Sequence, residues 1–308
     1  MKIIEQVPEY IRSLIPYEPG KPIEEVEREY GIANSVKLAS NENPLGPSPK
    51  AVAAMHAKLD QLNLYPDGDC FYLKQGLARK LGVAPETLIF GNGSNEIIEL
   101  AARTFLRPGD EAVMAEQAFV VYQLIVQAVG AQSRAVPLKN FTHDLPALAE
   151  AVTPRTRMIF LANPNNPTGT IYRREEWERF LCNVSREVLL IVDEAYFEYV
   201  ADADYPDSLR YHTNGRAIIT LRTFSKLYGL AGLRIGYGIG SKELISLMQR
   251  VRQPFNVNAP AQWGALAALD DADHIQRSLD VNRQGLKFLQ SELTRLGLEF
   301  VPSQGNFV

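Results

Sequence analysis

Four times between residues 87 and 226, a short apolar run ends in a cluster of small and polar residues. TLIF (87–90) runs into Gly91-Asn92-Gly93-Ser94-Asn95-Glu96. IFLA (159–162) runs into Asn163-Pro164-Asn165-Asn166-Pro167-Thr168-Gly169. LLIV (189–192) ends in Asp193-Glu194-Ala195-Tyr196, and IITL (218–221) is followed by Arg222 and then Thr223-Phe224-Ser225-Lys226. Stretches with helical apolar spacing lie between them, at 94–106, 119–129, 145–152 and 174–183. Further strands are expected at 111–115, 133–138 and 234–239, and further helices at 48–62, 72–81 and 272–296. Short apolar strands alternating with helices predict an α/β fold whose mostly parallel sheet is covered on both faces. Parallel strands share one carboxyl edge, and ligands bind outside that edge in open α/β sheets. The order of the chain therefore predicts a single site assembled from four clusters.

Composition narrows the function classes. The chain has 308 residues, 46% of them hydrophobic and 22% charged, with a net charge of −4. That balance gives no reason to expect a nucleic-acid or anionic-membrane partner. Its greasiest stretch, 119–129, is interrupted by Gln123 and Gln127 and is too short to span a bilayer. The start, MKIIEQVPEYIRS, lacks the apolar core of a secretory signal. Two cysteines, Cys70 and Cys182, form no disulfide framework, which suits a reducing, cytoplasmic setting. The four histidines show no metal-ligand spacing, so no metal is expected.

Each cluster has an ordinary use when taken singly. GNGSNE is a dinucleotide fingerprint only in outline, because Glu96 stands where the third glycine belongs. What remains is a set of small residues, Gly93, Ser94 and Asn95, at a helix N-terminus that favours an anion. Thr223, Ser225 and Arg234 supply hydroxyls and a guanidinium suited to a phosphate dianion, although capping and a surface ion pair explain them equally well. Asp193, at the tip of a buried strand, needs a partner: a cationic ring nitrogen, a cap or an internal ion pair would serve. NPNNPTG is a turn, but a turn does not require the amide of Asn166. Tyr196 offers a phenol nearby, and Phe119 offers a face for a flat ring, where core packing is the plain alternative. A lysine that attacks carbonyls must be unprotonated, which requires burial or a neighbouring cation. Lys226 lies among Phe224, Leu227 and Tyr228. Together these parts suit pyridoxal phosphate, held by its phosphate, its ring and a lysine.

The ordered motifs PYEPGKP, KLASNENPLGPSP, LYPDGD, GNGSNE, EQAFVVY, NPNNPTG, VDEAYFEY, RTFSK and AGLRIGY cover nearly the whole chain. In this set the chain resembles the fold-type I pyridoxal-phosphate aminotransferases, and within them the histidinol-phosphate aminotransferases. The resemblance implies roles residue by residue. Lys226 joins the cofactor carbonyl and moves protons, while Asp193 pairs with the ring nitrogen. Asn166 and Tyr196 hold the ring oxygen, and Phe119 stacks on the ring, where the family often has Tyr. Gly93, Ser94, Asn95, Thr223, Ser225 and Arg234 surround the phosphate. Tyr65 matches a tyrosine that reaches the other subunit's site, which implies a homodimer. Tyr17 and Asn41 match a segment that lines the substrate pocket.

The implied reaction moves an amino group between histidinol phosphate and 2-oxoglutarate, with glutamate as product, in histidine biosynthesis. Aromatic-amino-acid aminotransferases and a threonine-phosphate decarboxylase share the scaffold, and a non-catalytic cofactor-binding relative is a third possibility. The expected division is an N-terminal arm with part of the small domain (1–40), a large cofactor-binding domain (41–270) and the start of a smaller α+β C-terminal domain (271–308). The final NFV reads as the beginning of a strand. Family members continue beyond this point, so the small domain is expected to be incomplete here.

Overall fold

The structure, a computed structural model, describes residues 2–308. Seven strands form one sheet: β1 (Leu88–Gly91), β2 (Glu111–Ala115), β3 (Gln132–Val136), β4 (Thr156–Ala162), β5 (Leu189–Asp193), β6 (Ile218–Thr223) and β7 (Gly236–Ile239). Their spatial order is β1-β7-β6-β5-β4-β2-β3. Pairing is parallel from β6 through β5, β4 and β2 to β3. β7 is antiparallel to both of its neighbours, β1 and β6. The chain between β6 and β7 contains only a 3₁₀ turn, Ala231–Leu233, and no crossover helix. With no helix to carry it across a face of the sheet, the chain returns antiparallel.

This topology gives β1, β4, β5 and β6 a common direction, and all four polar clusters come to one edge. The interior strands β5 and β6 are buried along their length on both faces, as is β4 apart from Arg157 near its start. Separate cores flank the sheet. One contains Ile97, Leu100 and Met114, from β2 and the helix Gly93–Phe105. Another contains Leu148, Trp177 and Phe180, under the helices Leu145–Glu150 and Arg174–Asn183. These helices lie within two residues of the expected positions. The sequence-expected helix 48–62 is shorter: Pro49–His56, followed by the 3₁₀ turn Leu59–Gln61. Leu59 and Leu62 are exposed and bury nothing that would support a longer helix.

The C-terminal residues 297–308 form no strand, contrary to the reading of NFV. Their backbone bonds elsewhere, with Gln304 N–H donating to Gly169 O at 2.8 Å in the turn after β4. The long helix Ala272–Arg295 packs beside the N-terminal segment, where the Asn43 amide donates to Ser278 Oγ at 2.9 Å. Among the described residues, no helix is long and apolar enough to cross a membrane.

Candidate active site

At the shared strand edge lies a cleft of about 600 Å³. Asp193 ends β5 and is buried in its floor. Its Oδ2 accepts from the Tyr122 hydroxyl at 2.8 Å, and its Oδ1 accepts from Ala195 N–H at 3.1 Å. Among the described residues no cation lies within ion-pair distance of it. Burial pushes its carboxyl up to about 6, against the pull of these two donors. The carboxylate is thus fixed and desolvated without a cationic partner.

Lys226 opens from the turn after β6 into the same cleft. Its Nζ donates to Ser40 O at 2.9 Å and lies 5.5 Å from the centre of the Tyr196 ring. Burial lowers its pKa to about 8; the Arg234 charge adds to the fall and Glu42 opposes it. Tyr196 is buried, and its phenol accepts from the Asn41 amide at 3.1 Å and from the Asn166 amide at 3.4 Å. Burial raises its pKa to about 12, so the phenol keeps its proton and can donate it to a third group.

An anion cradle lies at one end of the cleft. The helix Gly93–Phe105 presents first-turn amides that have no acceptor within the helix. Gly93 has φ of +74°, and a Cβ there would sit 2.5 Å from Arg234 Nη2. The guanidinium therefore lies against the helix start. Gly236 permits the same closeness from the sheet side, since a Cβ on it would meet Ser94 N at 2.5 Å. Thr223 Oγ1 donates to Ser225 Oγ at 2.9 Å and accepts from Ser225 N–H at 3.1 Å. Ser94, Asn95, Thr223 and Ser225 all line the cleft. Arg234 makes no ion pair among the described residues; its Nη1 donates to Ala231 O at 2.9 Å.

Phe119 and Asn166 line the cleft as well. Asn41 lines an adjoining groove and reaches the site through Tyr196. Two expected residues stand apart from the cleft in the single chain. Tyr17 is exposed, and Tyr65 is 83% exposed, with its ring stacked on Phe255 at 5.0 Å. Tyr122 was not singled out by the sequence reading. It lies in the first turn of the helix Val121–Ala128, its ring meets Phe119 edge-on at 5.7 Å, and it stacks on Phe160 at 4.8 Å. Lys37 and Glu42, an ion pair at 2.8 Å on the rim, were also missed, because their role depends on a long-range contact.

The family model for aminotransferase class I and II matches residues 33–308. The chain belongs to the class I and II aminotransferases. Among curated relatives, the histidinol-phosphate aminotransferase of Moorella thermoacetica is 53% identical over 97% of this chain and 78% of its own length. That of Caldicellulosiruptor saccharolyticus is 48% identical over 97% of this chain and 84% of its own length. Within the aminotransferases, the chain thus falls among the histidinol-phosphate aminotransferases. The crystal structure of the Sinorhizobium meliloti enzyme of that name, in complex with pyridoxal-5′-phosphate, superposes with a TM-score of 0.90. It is 27% identical, and the match covers 99% of this chain and 82% of that one. An aspartate aminotransferase from Thermus thermophilus, 24% identical over 98% of this chain and 83% of that one, shares the fold with a TM-score of 0.82.

The residues present fit the pyridoxal 5′-phosphate that the Sinorhizobium meliloti enzyme holds. A buried carboxylate without a cationic partner suits a protonated ring nitrogen, and a half-buried amine of lowered pKa suits a carbonyl. The cradle of helix amides, hydroxyls and guanidinium suits a phosphate.

Proposed function

We propose that this aminotransferase moves an amino group between histidinol phosphate and 2-oxoglutarate. The observation that carries the reading is the shared cleft of Lys226 and Asp193, at the strand edge that also holds the anion cradle. Gly93, Ser94, Asn95, Thr223, Ser225 and Arg234 would hold the cofactor phosphate. Phe119 would cover the ring, and Asn166 and Tyr196 would hold its ring oxygen. Tyr17 and Asn41 would border the substrate.

Pyridoxal phosphate, when bound, supplies a carbonyl that condenses with amines and a ring that accepts electrons from the substrate carbon. Asp193 would keep the ring nitrogen protonated by offering a fixed negative charge in a desolvated floor. Tyr122 and Ala195 N–H hold that carboxylate in place, so little reorganisation accompanies charge development. With a pKa near 8, Lys226 has about a tenth of its amine free at pH 7, far more than an ordinary lysine. As general base, its Nζ takes the proton from the amine-bearing carbon of the substrate, and as acid it gives one back later in the transfer. The hydrogen bond to Ser40 O aims the amine into the cleft.

A homodimer in which Tyr65 serves the partner's site is part of this proposal; the exposure of Tyr65 supports it. A cytoplasmic location and a division into a large domain (41–270) and a smaller part built from the remainder belong to it as well. The deciding experiment supplies the purified chain with histidinol phosphate, an aromatic amino acid or threonine phosphate, each with 2-oxoglutarate, and measures glutamate. Histidinol phosphate is expected to be the best donor, and Lys226→Ala should abolish both turnover and the cofactor's visible absorbance. Carbon dioxide release without glutamate, or an unchanged spectrum in Lys226→Ala, overturns the reading.

A further inference from the structure

The turn after β4 carries Asn166, but its anchor is the preceding residue. Asn165 is fully buried. Its Nδ2 donates to Gln117 O at 3.0 Å and to Thr168 Oγ1 at 2.9 Å. Its backbone N–H donates to Thr170 O at 2.9 Å, and its backbone oxygen accepts from Gly169 N–H at 2.8 Å. Asn165 therefore ties two segments together: the one leading to Phe119, through Gln117, and the one carrying Asn166. One acceptor remains on its side chain, Oδ1, and it faces His143 Nε2 at 3.1 Å.

The orientation of this amide follows from its partners. The Gln117 carbonyl can only accept, so Nδ2 must face it and Oδ1 must face the imidazole. His143 Nε2 therefore carries the proton and donates. The imidazole is buried, its Nδ1 has no partner among the described residues, and it packs edge-on against Tyr172 at 6.3 Å. Burial lowers its pKa to about 4, so it remains neutral and keeps this tautomer at working pH. The loop that presents His143 is held to the same turn by a second bond, Thr170 Oγ1 donating to Phe141 O at 2.7 Å.

We infer that His143 is a positioning residue: by donating to Asn165 Oδ1 it locks the amide that joins the Phe119 segment to the Asn166 turn, and so sets the ring-holding side of the cleft. The inference rests on the proposed placement of the cofactor ring between Phe119 and Asn166. Without the donor, Oδ1 is left buried and unsatisfied, or the amide turns over and presents its oxygen to the Gln117 carbonyl. Either outcome loosens the link between the two segments while leaving the phosphate cradle and Lys226 untouched.

Four proteins test this: the wild type, His143→Leu, His143→Gln and Asn166→Ala, each titrated with pyridoxal phosphate and followed by its visible absorbance and its thermal midpoint. His143→Leu should raise the cofactor dissociation constant about tenfold and alter the pH dependence of the absorbance in the same direction as Asn166→Ala. His143→Gln, whose amide can supply a donor at the position of Nε2, should restore both to within about threefold of wild type. Nitrogen NMR of wild type should show His143 as the Nε2–H tautomer. If Asn166→Ala changes the spectrum but His143→Leu does not, His143 has no positioning role. If His143→Leu and His143→Gln fall equally in affinity and thermal midpoint, the histidine is only core packing and the inference is overturned. If Asn166→Ala itself leaves the spectrum unchanged, the proposed placement of the ring fails first.

Discussion

Tyr122 and Asp193 meet at 2.8 Å in the floor of the cleft, the phenol donating to Oδ2. Their contact joins the segment after β2 to the end of β5. The donor favours the ionised carboxylate, against a burial effect that pushes the group up to about 6. Tyr122→Phe should therefore raise the Asp193 pKa further. Carbon NMR of labelled aspartate in the cofactor-free chain should show a midpoint above that of the wild type. Turnover at pH 7 should fall about tenfold, the size of effect expected from losing one hydrogen bond to a charged group. An unchanged midpoint would mean that the phenol does not control this carboxylate.

Asp193 also ties stability to pH. Its folded-state value lies above the ordinary 3.8, so the folded chain binds this proton more tightly than the unfolded one. The resulting stability is complete below about 4 and is lost as pH rises through about 6. Asp193→Asn should accordingly stabilise the cofactor-free chain at pH 8 by up to about 3 kcal/mol, and much less at pH 4. Asp193→Ala should still bind some cofactor through the phosphate cradle, yet turn over at least about a hundredfold more slowly. Urea unfolding at the two pH values, together with steady-state rates, checks both statements.

Lys226 titrates near 8 because it is buried, with Glu42 pulling the value up and Arg234 pulling it down. Glu42→Gln should lower its midpoint and Arg234→Gln should raise it. Reductive alkylation of the cofactor-free chain with a small aldehyde, followed across pH by mass spectrometry of the peptide containing residue 226, reads the midpoint directly. Shifts of the opposite sign would remove these neighbours from the account of lysine activation.

Gly93→Ala tests the cradle. The new methyl would lie 2.5 Å from Arg234 Nη2 on a backbone with φ of +74°. The strain should cost about 1–2 kcal/mol of stability. Displacement of the guanidinium should weaken pyridoxal phosphate more than it weakens pyridoxal. Equal weakening of the two would place the phosphate elsewhere.

Hybrid assemblies test Tyr65. Neither Tyr65→Ala nor Lys226→Ala alone should be fully active. Co-expressed as mixed dimers, they should regain activity, because one site then combines an intact lysine with an intact partner tyrosine. No gain on mixing would confine Tyr65 to its own chain.

The sequence made the strand-end clusters readable because a parallel sheet converts sequence order into spatial coincidence. Gly93, Ser94, Asn95, Asn166, Asp193, Tyr196, Thr223, Ser225 and Lys226 border the cleft for that reason, whereas Arg234 reaches it because β7 starts at that edge and runs back antiparallel to β6. Tyr122 was hidden because a tyrosine in an apolar run is ordinarily packing, and only the position of β5 beside it reveals its acceptor. Lys37, Ser40 and Glu42 were hidden because the N-terminal segment lacks periodicity, so nothing local says which strand edge it crosses. Nothing local in the sequence marks His143, because its contact with Asn165 spans two separate loops. The antiparallel course of β7 is also illegible in composition, since it follows from a connection that holds only a 3₁₀ turn and no crossover helix.

That reversal has a consequence of its own. Thr223 and Gly236 are paired across β6 and β7, so the excursion between them leaves and rejoins the sheet at one rung. The amine of Lys226 and the guanidinium of Arg234 ride on this one closed hairpin. Lengthening or exchanging it would displace both ends of the cofactor's grip together, so transplantation into another scaffold must carry residues 223–236 as a single cassette.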